Sequence, residues 1–396
     1  MIKSLFKRSF SHFSGLMLGK VLSTVLFIFL ARVLLPEKFG FFLLFVTVAQ
    51  LVTLLSDFGL KQWYQKQAHI FTRSKTFSLV IEARLLAGVI GGLILLIALL
   101  VLKPFSVGLS VLLYCLLVTE ALISIAEGYH LEMGKAIKVG LRSPSVMLIF
   151  GLGFFFSGMS TSTDVIISLW FLGSLATSLW FFPWNEIGNF KGFNLMRGFN
   201  TLKESSSYAL LTSASLAYAR GDQLVIERSL GSAGLGLYGA AYRYLDAVSL
   251  LPSALTQNLF PVAAKKGSVS LKQLMKITSV MILLGGLFSI ALYFMSHFMV
   301  VGLLGSAYLP AVAVMQIFSL VLFLFFINAP LATVVQSSSY VKSFLPFGIL
   351  NTITNVALNI ILVPVFGIAI SAWIMVLTEL TGLLINLFFV TRVYNE

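Results

Sequence analysis

Along residues 237–260, Gly239, Arg243, Asp246, Ser253 and Gln257 recur at intervals that keep them on one face of an α-helix, while the other faces are nearly all apolar. The preceding apolar run, 206–228, carries two neighbouring polar stripes, Tyr208, Thr212, Ser215 and Asp222 on one and Ser213, Arg220, Gln223 and Glu227 on the other. Similar faces recur elsewhere: Lys20, Ser23 and Thr24; Glu120, Ser124 and Glu127; Asn351, Asn355 and Asn359; Glu379, Gly382 and Asn386. Ionisable groups inside apolar helices cost several kcal/mol unless they meet water or a partner, so they are the first candidates for chemistry. Arg and Lys in a low-dielectric cavity attract phosphate, Arg through forked donors and Lys as a point charge. Lys20, Arg220, Arg243, Asp222 and Gln257 are therefore candidates for binding an anionic substrate. Glu120, Asp246 and Glu379, near the middles of their runs, are candidates for carrying a coupling proton or sodium ion. Two structural alternatives stay open: Arg243 with Asp246, and Arg220 with a nearby carboxylate, as internal ion pairs joining helices, and the acids as protonated hydrogen-bonding links. Lys20 has no carboxylate within a helical turn, so it asks for water or an anion.

The elements that must position these groups are long apolar runs. Of 396 residues, 58% are hydrophobic and 10% charged, against about 25% charged in a soluble domain, so a water-soluble fold would lack a surface. Runs of roughly 20 residues, the length that crosses a hydrocarbon layer, recur throughout. Twelve spans are expected, near 12–34, 40–61, 77–101, 106–129, 139–159, 163–183, 206–228, 237–260, 273–296, 308–329, 342–363 and 367–391. The first reads as a retained helix rather than a signal peptide, because it is long and lacks a small-residue cleavage site. Sorting Lys and Arg into alternating loops puts nineteen on the side of the N-terminus and four on the other, with Lys20, Arg84, Arg220 and Arg243 in or at the edges of spans. Basic residues in short loops stay cytoplasmic, so both termini are expected there.

The polar interval 184–205 reads as a cytoplasmic linker between two six-helix lobes, 1–183 and 206–396. A register shift of 196 residues supports a duplication: residues 52–57 (VTLLSD) fall on 248–253 (VSLLPS), and Gly40 falls on Gly236. Gly15 with Gly19, and Gly88 with Gly92, have the spacing for close helix approach, and Pro252 is expected to kink the eighth span.

Other chemistries lack their residues. The net charge of +13 comes from short clusters between apolar runs, not from a nucleic-acid-binding patch. Cys115 is the only cysteine and reads as a small apolar residue. His12, His69, His130 and His297 do not cluster, so no metal is expected. No phosphate-binding loop, zinc-hydrolase motif or nucleophile elbow is present, and there is no soluble stretch to hold an ATPase. An ion gradient, the substrate gradient or a partner must then supply energy.

Residues 219–261 (ARGDQLVIERSLGSAGLGLYGAAYRYLDAVSLLPSALTQNLFP) resemble the seventh and eighth helices of the bacterial oligosaccharide flippases, and 35–60, with PEKFGFF and a closing SDFGL, shares the resemblance. These are the Wzx-type O-antigen and polysaccharide transporters, relatives of the MATE exporters and the lipid II flippase within the MOP superfamily. The resemblance implies an all-α, polytopic, MATE-like fold of about twelve transmembrane helices in two six-helix lobes around a cationic central cavity. It implies a non-enzymatic flippase in the bacterial inner membrane, moving an undecaprenyl-diphosphate-linked repeat unit of O-antigen, lipopolysaccharide or another surface polysaccharide between leaflets by alternating access. Its partners would be that lipid-linked oligosaccharide, membrane lipids, a polysaccharide polymerase and a chain-length regulator, with no nucleic acid, and it would need no cofactor beyond a coupling H+ or Na+. Asp222 in GDQ and Arg243 in AAYRY match family positions, and Lys20 corresponds to first-helix cations. Two alternatives remain: an ion-coupled MATE-type drug exporter, which would favour an acidic cavity, and a polysaccharide polymerase, which would need a large outward loop.

Overall fold

The fold is seen in a computed structural model, which describes residues 2–67, 73–102, 105–133, 135–189, 192–263 and 269–395. Among the described residues the chain is helical and has no strand. In order the helices are α1 (Ile2–Asp57), α2 (Leu60–Gln67), α3 (Arg73–Leu102), α4 (Val107–Glu132), α5 (Ala136–Phe156) and α6 (Thr163–Phe181), then α7 (Leu195–Val248), α8 (Leu250–Ala263), α9 (Leu271–His297), α10 (Ala311–Ser337), α11 (Val341–Phe366) and α12 (Ile368–Asn395). Nine helices among the described residues are long and apolar enough to cross a membrane, so this is a multi-pass membrane protein. The first two expected runs are the two arms of α1, and the third to sixth are α3 to α6. The seventh and eighth are the arms of α7, the latter continued by α8, and the last four are α9 to α12. The arms of α7, which carry Arg220, Asp222, Glu227, Arg243 and Asp246, are not among the nine.

α1 and α7 are broken at corresponding points. Leu35 has φ 62° and ψ 167°, and Gly231 has φ 73° and ψ −179°; the shift of 196 residues superposes the two. At Gly231 the left-handed φ carries no Cβ penalty, whereas at Leu35 it costs about 1–3 kcal/mol and is followed by Pro36, which cannot donate to the helix. Beyond the breaks the two turns meet backbone to backbone. A Cβ on Gly40 would lie 1.7 Å from the Ser232 carbonyl oxygen, and one on Gly236 would lie 1.9 Å from the Pro36 carbonyl oxygen. The same shift relates Pro36 to Ser232 and Gly40 to Gly236, so the contact is reciprocal, and only glycine fits at either position.

The helices gather into two compact units: residues 1–26 with 45–216, and residues 27–44 with 217–396. The middle of α1 thus belongs with the second unit. The first unit is built on α4, which packs against α2, α3 and α6 over a core that includes Trp63, Tyr64, Phe77, Ile123 and Phe181. The interval 184–205, expected to be a linker, begins with a short 3-10 turn and is helical from Leu195. Its residues are tied to the first unit: Arg197 is 2.8 Å from Glu82, Glu204 accepts from the Trp63 indole, and Ser205 is buried. In the second unit α10 is the most enclosed of the apolar helices and packs against α8, α9 and α12. α9 opens on a reciprocal cap between Ser270 and Gln273.

The first glycine pair behaves as expected, since Gly15 and Gly19 abut Gly140 and Ser143 of α5 too closely to accept a Cβ. The second does not: Gly88 has open space beside it and Gly92 meets only the Tyr114 ring, so apolar composition alone accounts for that pattern. The eighth run breaks at Ser249, three residues ahead of Pro252, which then sits in the first turn of α8 where its missing N–H costs little.

Candidate functional site

Two groups of polar side chains stand out, one in each unit. In the first unit, Gln50, Thr53 and Asp57 share a face of α1, and Glu120, Ser124 and Glu127 share a face of α4. α5 brings Arg142, which bridges both α4 acids: it pairs with Glu120 and lies 2.9 Å from Glu127. Lys61 also pairs with Glu127, and the Ser174 hydroxyl donates to Glu120 at 2.7 Å. Asp57 takes Arg84 at 2.5 Å and accepts from Ser124. Gln50, Thr53, Asp57, Lys61, Glu120, Ser124, Glu127 and Arg142 line a cavity of about 510 Å³, completed by Ser143, Met147 and Trp170, with Arg84 and Ser174 behind that lining. Three acids, Asp57, Glu120 and Glu127, face three bases, Lys61, Arg84 and Arg142, so the network is formally neutral. The expectation of a cationic cavity does not describe this one.

The second unit arranges its charges differently. The Arg243 guanidinium carbon is 3.8 Å from the centre of the Phe27 ring, and that of Arg220 is 5.5 Å from the Tyr242 ring. Asp222 is buried, accepting from the Tyr238 hydroxyl and from the Gln223 backbone N–H at 2.7 Å. Asp246 lies within electrostatic reach of Arg243 and Tyr242. Further along, Glu379 accepts from the Tyr218 hydroxyl at 2.6 Å and the Asn328 amide at 2.9 Å, and Asn386 donates in turn to Asn328. The Asn351 and Asn355 amides both reach Thr378. The polar face of α11 therefore meets α12, while that of α12 meets Tyr218 of α7 and Asn328 of α10.

Of the expected site residues, Arg220, Asp222, Arg243, Asp246 and Glu379 all lie in the second unit, and Lys20 and Glu120 lie in the first. Lys20 is half-buried on α1, next to the Gly19 contact with Ser143. The side chain of Gln257 lies outside the described residues. Lys61 and Arg142, assigned from sequence to cytoplasmic loops, belong instead to the buried network. Arg142 was legible in part, because it falls inside the fifth run as drawn, next to the Ser143 that Gly19 abuts. Asp57 and Arg84 also fall inside runs as drawn, but their pairing joins α1 to α3 through space alone and left no mark in the spacing. Among the described residues no three His, Cys, Asp or Glu side chains gather as a metal site.

A family model described as polysaccharide biosynthesis protein matches residues 5–266. No curated protein matches the chain. Among solved structures, the lipid II flippase MurJ in an inward closed conformation is 14% identical with a TM-score of 0.74, covering 98% of this chain and 87% of that one. An inward-facing multidrug resistance MATE family transporter of the MOP superfamily is 12% identical with a TM-score of 0.73, covering 98% of each chain. A MOP superfamily transporter from Pyrococcus furiosus, whose binding pocket is described as reversed in polarity, is 13% identical with a TM-score of 0.65, covering 98% and 95%. At these identities the likeness establishes a common fold.

Proposed function

Since the chain belongs to the polysaccharide biosynthesis protein family of MOP-type flippases, we propose that it moves an undecaprenyl-diphosphate-linked oligosaccharide repeat unit from the cytoplasmic to the outer leaflet of a bacterial inner membrane by alternating access. The observation that carries this reading is the placement of Arg243 on Phe27 inside an apolar unit. A guanidinium seated on a ring engages it through its face, which leaves in-plane N–H donors for phosphate oxygens. Arg220 also lies over a ring, that of Tyr242. A cationic-drug exporter of the same fold would want the opposite sign at these positions. A polymerase would call for a large outward loop, whereas the outward intervals expected from the sequence are short, and the reading is that of a transporter rather than an enzyme.

Of the carboxylates suited to ion coupling, Glu379 is the one we assign. Its two partners, Tyr218 and Asn328, are neutral donors, so a proton or sodium ion can neutralise it without breaking an ion pair. Glu120 is held by Arg142 and Ser174, which opposes that role. Asp246, beside Arg243, fits a part in holding that cation. Both termini are assigned to the cytoplasm on the distribution of Lys and Arg.

The test is genetic and biochemical together. A strain lacking the gene should accumulate lipid-linked repeat units on the cytoplasmic leaflet. Arg243→Ala and Lys20→Ala should each fail to restore export while remaining inserted in the membrane. Wild-type export by both variants rejects the cationic-site reading, and accumulation of unpolymerised units outside points to a polymerase.

A further inference from the structure

We propose that the cavity of the first unit is a subsite for an uncharged sugar, recognising the glycan of the transported lipid rather than its diphosphate. The proposal rests on the flippase reading above and adds a residue-level site to it. The cavity's bases are already committed, Arg142 to Glu120 and Glu127 and Lys61 to Glu127, and its third acid, Asp57, is held by Arg84 from behind the lining. A diphosphate entering here would have to strip cations from buried carboxylates, leaving those charges unpaired at a cost of several kcal/mol. A metal or sodium ion is equally ill served, since each acid already holds a base or a hydroxyl.

A ligand without net charge loses nothing to this balance. Ion pairs present fixed acceptors on the carboxylates next to fixed donors on the guanidinium and ammonium groups. Vicinal hydroxyls, each both donor and acceptor, match such alternating rows. Buried Arg142 Nε has no hydrogen-bond partner among the described residues, so the network retains a donor to satisfy. Trp170 on α6 and Gln50 on α1 complete the lining, the indole giving an apolar face and the amide a polar group beside it. The volume of about 510 Å³ falls in the range of small-molecule sites, roughly 300–1,000 Å³. Lys20 lies in the same unit, one residue from the Gly19 that abuts the lining residue Ser143, and suits the headgroup.

The experiment uses the purified full chain in nanodiscs and two probes: a polyprenyl diphosphate carrying a neutral disaccharide, and the same polyprenyl diphosphate without sugar. The wild type is expected to bind the glycosylated lipid more tightly. Trp170→Ala and, as a milder change, Gln50→Ala should each weaken the glycosylated lipid by about tenfold, the worth of one good polar contact, and leave the bare lipid unchanged. Lys20→Ala should weaken both. Unchanged binding of the bare lipid also certifies that each variant is folded. If both cavity variants bind the glycosylated lipid as the wild type does, or lose both lipids in equal measure, the sugar site is wrong and the flippase reading stands. If the wild type binds neither lipid, the flippase reading falls and the sugar site falls with it.

Discussion

The two units solve the same problem, charges in an apolar protein, in opposite ways. The first cancels them in ion pairs around a cavity, Arg142 bridging two acids and Arg84 closing on Asp57. The second seats Arg220 and Arg243 on aromatic rings, and neutral tyrosines and an asparagine hold Asp222 and Glu379. The difference sets what each can still do. An arginine spent on two carboxylates has little left for an incoming anion, whereas one resting on Phe27 retains most of its donors. A chain with matching breaks at Leu35 and Gly231 thus carries two distinct chemistries.

The largest effect is expected from breaking the first arrangement at its centre. Arg142→Ala leaves Glu120 and Glu127 with one base, Lys61, between them, and removing one partner of a buried pair costs about 3–5 kcal/mol. Arg142 and Glu120 are each about one-fifth exposed, which puts the loss at the low end, about 3 kcal/mol. A thermal melt of the purified protein measures this, and Glu120→Gln in the Arg142→Ala background should recover part of it by removing the stranded charge. A melt unchanged by Arg142→Ala would mean that the network contributes nothing to stability. In the second unit the corresponding substitution is Phe27→Leu, which removes the ring under Arg243 while keeping the site apolar. Phe27 is almost fully buried, so the lost ring contact and partial cavity together should cost about 1–2 kcal/mol, less than the Arg142 change. If Phe27→Leu proves the more damaging of the two, the contrast between the units is drawn the wrong way round.

Much of this was legible in the sequence because a bilayer imposes length and charge rules that act along the chain. The apolar runs coincide with α3 to α6 and α9 to α12, and the shift of 196 residues that paired Gly40 with Gly236 proved to mark a physical contact. The stripe of Asn351, Asn355 and Asn359 and the face of Glu379 were placed correctly on their helices, but where those faces pointed was not contained in their spacing. Arg142 and Lys61 show the limit most clearly. The charge rule sorts basic residues by their position between runs, and a base drawn inward by Glu120 and Glu127 obeys pairing through space instead. The break at Leu35 was also hidden, since a leucine at φ 62° carries no mark in a sequence beyond the proline after it.

The smallest effect concerns a group at the margin of the first unit, where its ion-paired interior gives way to a neutral, buried histidine. His130 lies past the apolar stretch of α4, with Nε2 donating to the Phe181 carbonyl at 2.7 Å and the ring edge-on to the Phe181 ring. Burial lowers its pKa from the ordinary histidine value, the bond to Phe181 opposes this, and nearby Lys138 and Lys135 lower it further. The tautomer fixed by Phe181 leaves Nδ1 unprotonated, and Nδ1 is buried with no partner among the described residues. Acid must therefore place a proton where nothing accepts it. With the folded pKa below the unfolded one, the unfolded state binds more protons as pH falls through about 6.5, so stability is full above that value and declines beneath it. The wild type should melt at a lower temperature at pH 5 than at pH 7.5, and His130→Gln, which keeps a donor for Phe181 and cannot be charged, should lose part of that difference. An identical acid shift in both proteins would assign the sensitivity to the carboxylates of the ion-pair network, and the line between the paired and neutral parts of this unit would have to be redrawn around Glu120 and Glu127.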